Sequence, residues 1–203
     1  MIGSLKYGGA TPMKIGILLF DDVEELDFVG PLEVFGVLSR LKGGTDTVTI
    51  SKNGKQIRGR YGLSVSPDFS LTECPNLDLL IVPGGKGASE QVRYDEETLA
   101  FVRARAAGTM IASVCTGALV LAQAGILDGK KATTHWAALD TLRQYSKVQV
   151  IEGVRFVRDG KVATSAGISA GIDLALEIAR ELYGDQVADD VARHMEYRYQ
   201  VSH

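Results

Sequence analysis

The chain has 203 residues, of which 45% are hydrophobic and 23% charged, with a formal net charge of −3. This fits one globular domain with a sizeable core, and leaves no basic footprint for nucleic acid or an acidic membrane surface. No apolar run approaches the roughly 18 residues of a membrane span, the N-terminus lacks the order of a signal peptide, and two cysteines, Cys74 and Cys115, build no disulfide framework. The expected setting is therefore reducing and cytoplasmic, with both thiols free.

Residues 1–12 hold three glycines and no periodicity, and read as a leader outside a single domain over 13–203. Residues 14–20 (KIGILLF) predict a buried strand. A helix over 30–41 follows, with Pro31 in its first turn. Residues 47–51 are a second strand, and 53–66 alternate around glycines as hairpin-like or edge strands. Strands at 77–82 and 109–114 bracket a helix over 96–107 that ends at Gly108, and a further helix spans 116–124. Beyond the breaks at Gly125 and Gly129, 136–145 reads as helical. Short strands follow at 148–151, 154–157 and 161–164, with Asp159-Gly160 as a hairpin turn. Helices over 168–183 and 186–199 close the chain. Apolar strands alternating with helices predict an α/β fold with a mostly parallel sheet, whose ligand site lies beyond the strand carboxyl ends.

Cys115 stands where the strand Met110-Ile111-Ala112-Ser113-Val114 gives way to Thr116-Gly117-Ala118-Leu119. A buried cysteine is often only a small core residue. A strand–Cys–x–Gly–helix corner, like a hydrolase nucleophile elbow, points instead to a nucleophile, with Gly117 admitting the tight corner. The N–H groups and dipole of the new helix would lower the thiol pKa. The Pro83-Gly84-Gly85 segment is either a turn or a close backbone approach, with Gly85 as a second oxyanion donor opposite the amides of Cys115 and Thr116. Asp27 is either a helix-capping carboxylate or, flanked by Leu26, Phe28 and Val29, a desolvated one with a raised pKa, able to hold and deliver a proton. Glu24 and Glu25 read as exposed.

Asp27 with Gly30-Pro31, Pro83-Gly84-Gly85, Ser113-Val114-Cys115-Thr116-Gly117 and Thr133-Thr134-His135-Trp136 occur in the order seen in the ThiJ/PfpI superfamily. The chain resembles that group over residues 13–183. The resemblance implies a class I glutamine amidotransferase-like, flavodoxin-type fold with helices on both faces of the sheet and a cysteine nucleophile elbow. Within the group, Leu26-Asp27-Phe28-Val29-Gly30-Pro31, Cys115-Thr116-Gly117 and His135-Trp136 look most like isocyanide (isonitrile) hydratases, and the motifs also occur in ligand-sensing domains of AraC-type regulators.

The resemblance implies a small-molecule substrate, no cofactor and a homodimer. It assigns Cys115 to attack on an isocyanide carbon and Asp27 to proton transfer, with Thr116 on Asp27 or the substrate. Gly84, Gly85, Gly117, His135 and Trp136 would form the substrate and oxyanion surroundings. Glyoxalase- or deglycase-like chemistry and ligand or redox sensing use the same cysteine, though no helix-turn-helix domain is expected after the core. Proteolytic members carry histidine after the nucleophile, where this chain has Thr116, so peptide cleavage is not expected. His194-Met195-Glu196 mimics an amidotransferase pair but falls in a helical pattern, and no zinc-type or nucleotide-binding spacing occurs.

Overall fold

A computed structural model describes residues 12–198. The expected leader lies outside them except for Pro12, as does Tyr199 at the end of the last expected helix. Strand β1 (Met13–Leu19) leads into helix α1 (Glu25–Lys42) and strand β2 (Thr45–Ser51). The short strands β3 (Ile57–Arg58) and β4 (Ser64–Val65) pair antiparallel as a separate hairpin. Strands β5 (Phe69–Ser70) and β6 (Leu79–Val82), helices α2 (Lys86–Glu90) and α3 (Glu96–Ala106), strand β7 (Met110–Val114) and helix α4 (Gly117–Gln123) follow. Strand β8 (Lys131–Ala132), helix α5 (Leu139–Arg143) and strands β9 (Gln149–Val150), β10 (Phe156–Asp159) and β11 (Val162–Ser165) come next. Helices α6 (Ala170–Tyr183) and α7 (Asp185–His194) complete the order.

The main sheet has seven strands in the order β10-β11-β7-β6-β1-β2-β5, and only β10 runs antiparallel to its neighbour. Its interior order, β2-β1-β6-β7-β11, is that of the flavodoxin-like doubly wound fold. The central strands are buried on both faces and therefore read as near-continuous apolar runs. Ile15, Ile17 and Leu19 of β1 pack with Phe28, Val34, Phe35 and Leu38 of α1 and with Leu174 and Ile178 of α6. Leu18 turns to the other face, where Leu80 and Val82 meet Leu99 and Val102 of α3 and Leu119 to Leu121 of α4. The sheet is thus covered on both sides, and β1, β6 and β7 end side by side at its carboxyl edge.

Several element bounds differ from expectation. Helix α1 begins at Glu25 rather than at residue 30, so Asp27 lies in its first turn and Pro31 sits inside it. Pro31 lacks the N–H that would bond the carbonyl of Asp27. The helix tolerates this loss because buried Phe28, Pro31, Val34 and Phe35 dock its face on the sheet. The 136–145 segment splits into a single tight turn, Trp136–Ala138, and α5. The 154–157 strand is shifted to Phe156–Asp159 by its antiparallel pairing with β11. Helix α7 stops at His194, two residues before Glu196 takes a left-handed φ of 52°.

Candidate active site

Cys115 follows β7 directly and has φ 56°, in the left-handed region that side-chain-bearing residues avoid. Such strain costs about 1–3 kcal/mol and persists only when surrounding contacts over-determine it. Here the Cys115 amide donates to the Ser165 and Ala166 carbonyls, both at 3.2 Å, and its carbonyl accepts from Thr134 Oγ1 at 2.7 Å. A Cβ on Gly117 would stand 2.1 Å from the Val82 carbonyl oxygen, so the elbow can seat on the end of β6 only with glycine there.

Asp27 is fully buried in the first turn of α1 and faces this elbow. Its Oδ2 accepts from the Gly84 amide at 3.0 Å. Oδ1 has no well-aligned hydrogen bond, and the groups standing toward the carboxyl are the Cys115 thiol and the Ile168 amide. Gly84 makes this approach possible, because a Cβ there would lie 2.5 Å from the Thr116 nitrogen and 2.9 Å from Asp27 Oδ2. The Gly84 carbonyl in turn accepts from the Glu24 amide at 3.0 Å, which ties the glycine turn to the start of α1.

Burial is the main force on both groups. It raises the Asp27 pKa from 3.8 to about 7; the Gly84 amide opposes the rise and the nearby Glu24 carboxylate adds to it. Burial, then the Asp27 charge, raise the Cys115 thiol from 9.0 to about 12, against the pull of the Thr116 and Ile168 amides. The expected low thiol pKa is therefore corrected. The helix N–H groups are present, but with Cys115 only 6% exposed and a carboxylate beside its thiol, they do not offset desolvation. The resting pair above neutral pH is a thiol facing an ionised Asp27.

The donors also differ from expectation. The Gly85 amide is not open to a substrate, because it donates to Thr116 Oγ1 at 2.9 Å. The Thr116 hydroxyl donates back to the Gly85 carbonyl at 3.1 Å and so is not bonded to Asp27. The amides that stabilise charge at sulfur are those of Thr116 and Ile168. Ile168, with φ 54°, follows β11 in the run Ala166-Gly167-Ile168 and forms a second strained corner opposite the first. Its sequence signal was a glycine-bearing exit from a strand, the same one that marked Cys115.

A cavity of about 320 Å³ opens over the cysteine, lined by Cys115, Thr116, Gly85 and Ile168 within and by Glu24, Arg60, Lys86, Ser89, Glu90 and His135 around them. Glu24, expected to be exposed, is 6% exposed, with its pKa raised chiefly by burial. Neither Glu24 nor Arg60 was anticipated as a site residue; Arg60 comes from the turn between β3 and β4, a segment without a chemical motif. His135 is held below its ordinary pKa by burial and then by Arg60. Its Nδ1 accepts from the Ala137 amide at 3.2 Å, which puts the proton of the neutral ring on Nε2. Trp136 is 77% exposed and lines a neighbouring cavity of about 430 Å³ instead of the one at Cys115, and His135 borders both. His194 contacts Arg40 of α1, and Cys74 is half-buried. Among the described residues no cluster of three or more His, Cys, Asp or Glu is placed to hold a metal, and no helix is long and apolar enough to cross a membrane.

The model of the DJ-1/PfpI family matches residues 13–181. An isonitrile hydratase of Pseudomonas putida is 41% identical over 158 residues, 77% of this chain and 66% of that protein. An HTH-type transcriptional regulator of Pseudomonas aeruginosa is 32% identical over 136 residues, 66% of this chain but only 37% of the regulator. The chain thus spans just under two thirds of the first relative's length and little over a third of the second's. Among solved structures, a ThiJ/PfpI family protein of Pseudomonas syringae superposes with a TM-score of 0.85 at 33% identity, over 95% of this chain and 78% of that one. Elbow, buried carboxylate, sheet order and sequence agree: the chain belongs to the DJ-1/PfpI family.

Proposed function

We propose that the protein hydrates an isocyanide to an N-substituted formamide. The observation that carries this reading is the buried Asp27 carboxyl set against the Cys115 thiol, with a pKa raised to about 7. A general base must be ionised at the working pH and still basic enough to take up the proton, and a carboxyl with a pKa of about 7 meets both conditions near neutrality. Similarity to the Pseudomonas putida isonitrile hydratase supports the substrate class.

In this reading Asp27 takes the thiol proton as the sulfur lone pair forms a C–S bond to the terminal carbon of R–N≡C. Asp27 then returns that proton to the same carbon, giving the thioformimidate R–N=CH–S–Cys115. Water adds to this carbon while Asp27 relays one of its protons to nitrogen, giving R–NH–CH(OH)–S–Cys115. Collapse forms the C=O bond and breaks the C–S bond. The hydroxyl proton passes through Asp27 to the departing sulfur, and R–NH–CHO leaves. Charge developing on sulfur at each stage meets the Thr116 and Ile168 amides. The cycle needs no metal or cofactor.

Incubation with a simple alkyl or aryl isocyanide and measurement of the formamide tests the proposal. Formamide from the wild type, and none from Cys115→Ala or Asp27→Asn, is expected. No product from the wild type, or equal turnover by Cys115→Ala, refutes it. A second reading, a ligand-sensing module, is favoured by the similarity to the Pseudomonas aeruginosa regulator. It predicts saturable small-molecule binding without turnover.

A further inference from the structure

The cavity over Cys115 is not the apolar slot that a plain alkyl or aryl isocyanide would favour. Among its lining side chains only Ile168 is a large aliphatic, whereas Glu24, Arg60, Lys86, Ser89, Glu90 and His135 surround the opening. Burying a hydrocarbon substituent against these groups would desolvate charge without a partner to replace water. At about 320 Å³ the space equals roughly ten water molecules, so the substituent is small and its far end meets this charged rim.

Arg60 is the rim group with unused bonding capacity. Its side chain is 48% exposed and lies 3.9 Å from the Glu24 carboxylate, too far for a hydrogen bond. No hydrogen bond from its guanidinium is found among the described residues, although that group carries five N–H donors in a fork that matches a carboxylate. Its position is fixed from behind, because the Arg60 amide donates to the Val23 carbonyl at 2.9 Å. Lys86, 55% exposed, stands across the same cavity and is tied only loosely to Glu90 at 3.9 Å. Of the two acidic groups, the Glu24 side chain is 8% exposed and faces Arg60, and Glu90, 62% exposed, is loosely paired with Lys86.

We propose that Arg60, assisted by Lys86, forms an anion subsite, so that the substrate carries a carboxylate at the end opposite its reacting carbon. For the reacting end this rests on the hydratase reading. The substrate class is then a small isocyanide bearing a carboxylate, which Arg60 holds bidentately while the terminal carbon is presented to Cys115. Glu24 sets the resting direction of the guanidinium and yields it to the ligand. Arg60 acts in specificity, and the proton steps stay with Asp27.

The test separates the subsite from the reaction. Alkylation of Cys115 by iodoacetate and by iodoacetamide is followed by peptide mass spectrometry at one fixed pH, so that the thiol pKa cancels in the ratio of rates. A charge-assisted hydrogen-bonded contact is worth about a tenfold preference or more. The iodoacetate-to-iodoacetamide ratio is therefore expected to fall about tenfold in Arg60→Glu and to be largely kept in Arg60→Lys. The ratio of kcat/KM for isocyanoacetate over its amide is expected to follow the same order. A ratio indifferent to the charge at position 60, or a preference for an aminoalkyl isocyanide over the carboxylate, overturns the proposal. If the alkylation ratio tracks position 60 while no isocyanide of any charge is hydrated, the subsite stands and the hydratase reading falls.

Discussion

Asp27→Asn is expected to strengthen the fold at alkaline pH while abolishing turnover. An ordinary aspartate titrates near 3.8, and burial raises Asp27 to about 7 in the folded chain. The raised value means that its contribution to stability is fully present below pH 3.8 and is lost as pH climbs through about 7. The slope cannot exceed about 1.4 kcal/mol per pH unit, so the window of about three units corresponds to at most about 4 kcal/mol above pH 7. Asparagine carries no such charge, and its side-chain oxygen can still accept from the Gly84 amide. Its NH2 would, however, face the Ile168 amide, donor against donor, which reduces the gain; an increase of about 1–3 kcal/mol at pH 8 is expected. For a chain of this size that is roughly 2–12 °C in Tm. Urea unfolding of both proteins from pH 4 to pH 8 measures it. The variant's advantage should be near zero at pH 4 and grow with pH. A constant difference across that range, or a variant less stable than the wild type at pH 8, would refute the claim that a desolvated carboxylate faces the thiol.

The same proton inventory makes kcat/KM for the proposed hydration rise through an apparent pKa of about 7 and stay level above it; a profile flat from pH 5 to 9 would exclude Asp27 as the base. Gly117→Ala brings a Cβ to 2.1 Å from the Val82 carbonyl, so a loss of more than about 3 kcal/mol or failure to accumulate as soluble protein is expected. Gly108→Ala, which meets nothing within 4 Å, serves as the control and should stay within about 1 kcal/mol of the parent. His194→Ala, on α7 against Arg40, should leave formamide production unchanged; a large loss of turnover would reopen the amidotransferase-like pairing of His194 with Glu196.

The apolar runs that became β1, β6 and β7, and the Cys115–Gly117 corner between β7 and α4, were legible because a strand buried on both faces and a sharp exit from it leave few residue choices. The start of α1 was not, because Pro31 signals a first turn locally while the docking of Phe28 and Phe35 on the sheet carries the helix back to Glu25. The Cys115 thiol shows the same split between local and long-range terms. Its helix amides could be read from adjacent residues, whereas its burial and the charge on Asp27 come from a segment 88 residues earlier in the chain. Gly85 was misread as a free donor for a similar reason: the hydroxyl that claims its amide belongs to Thr116, on another strand end. Arg60 is an ordinary residue by type, and only its placement at the cavity marks it.

The β3–β4 hairpin lies outside the main sheet, held by Ile57 buried in the core and hydrogen-bonded to the site through its main-chain groups. The Asp22 amide donates to the Arg58 carbonyl and the Arg60 amide to the Val23 carbonyl, each at 2.9 Å. The Arg58 and Tyr61 amides donate to the carboxylates of Asp21 at 2.8 Å and Glu25 at 2.7 Å. Each of these four hydrogen bonds uses a peptide group of the hairpin, and any residue except proline, which lacks the N–H, can supply them. The exposed side chains there, Arg58, Arg60 and Tyr61, can be exchanged without breaking these bonds, whereas Ile57 is buried in the core and a Cβ on Gly59 would lie 2.5 Å from Glu25 Oε1. The hairpin is a cassette on which mutation, natural or in the laboratory, can explore new ligands while the reacting pair stays in place.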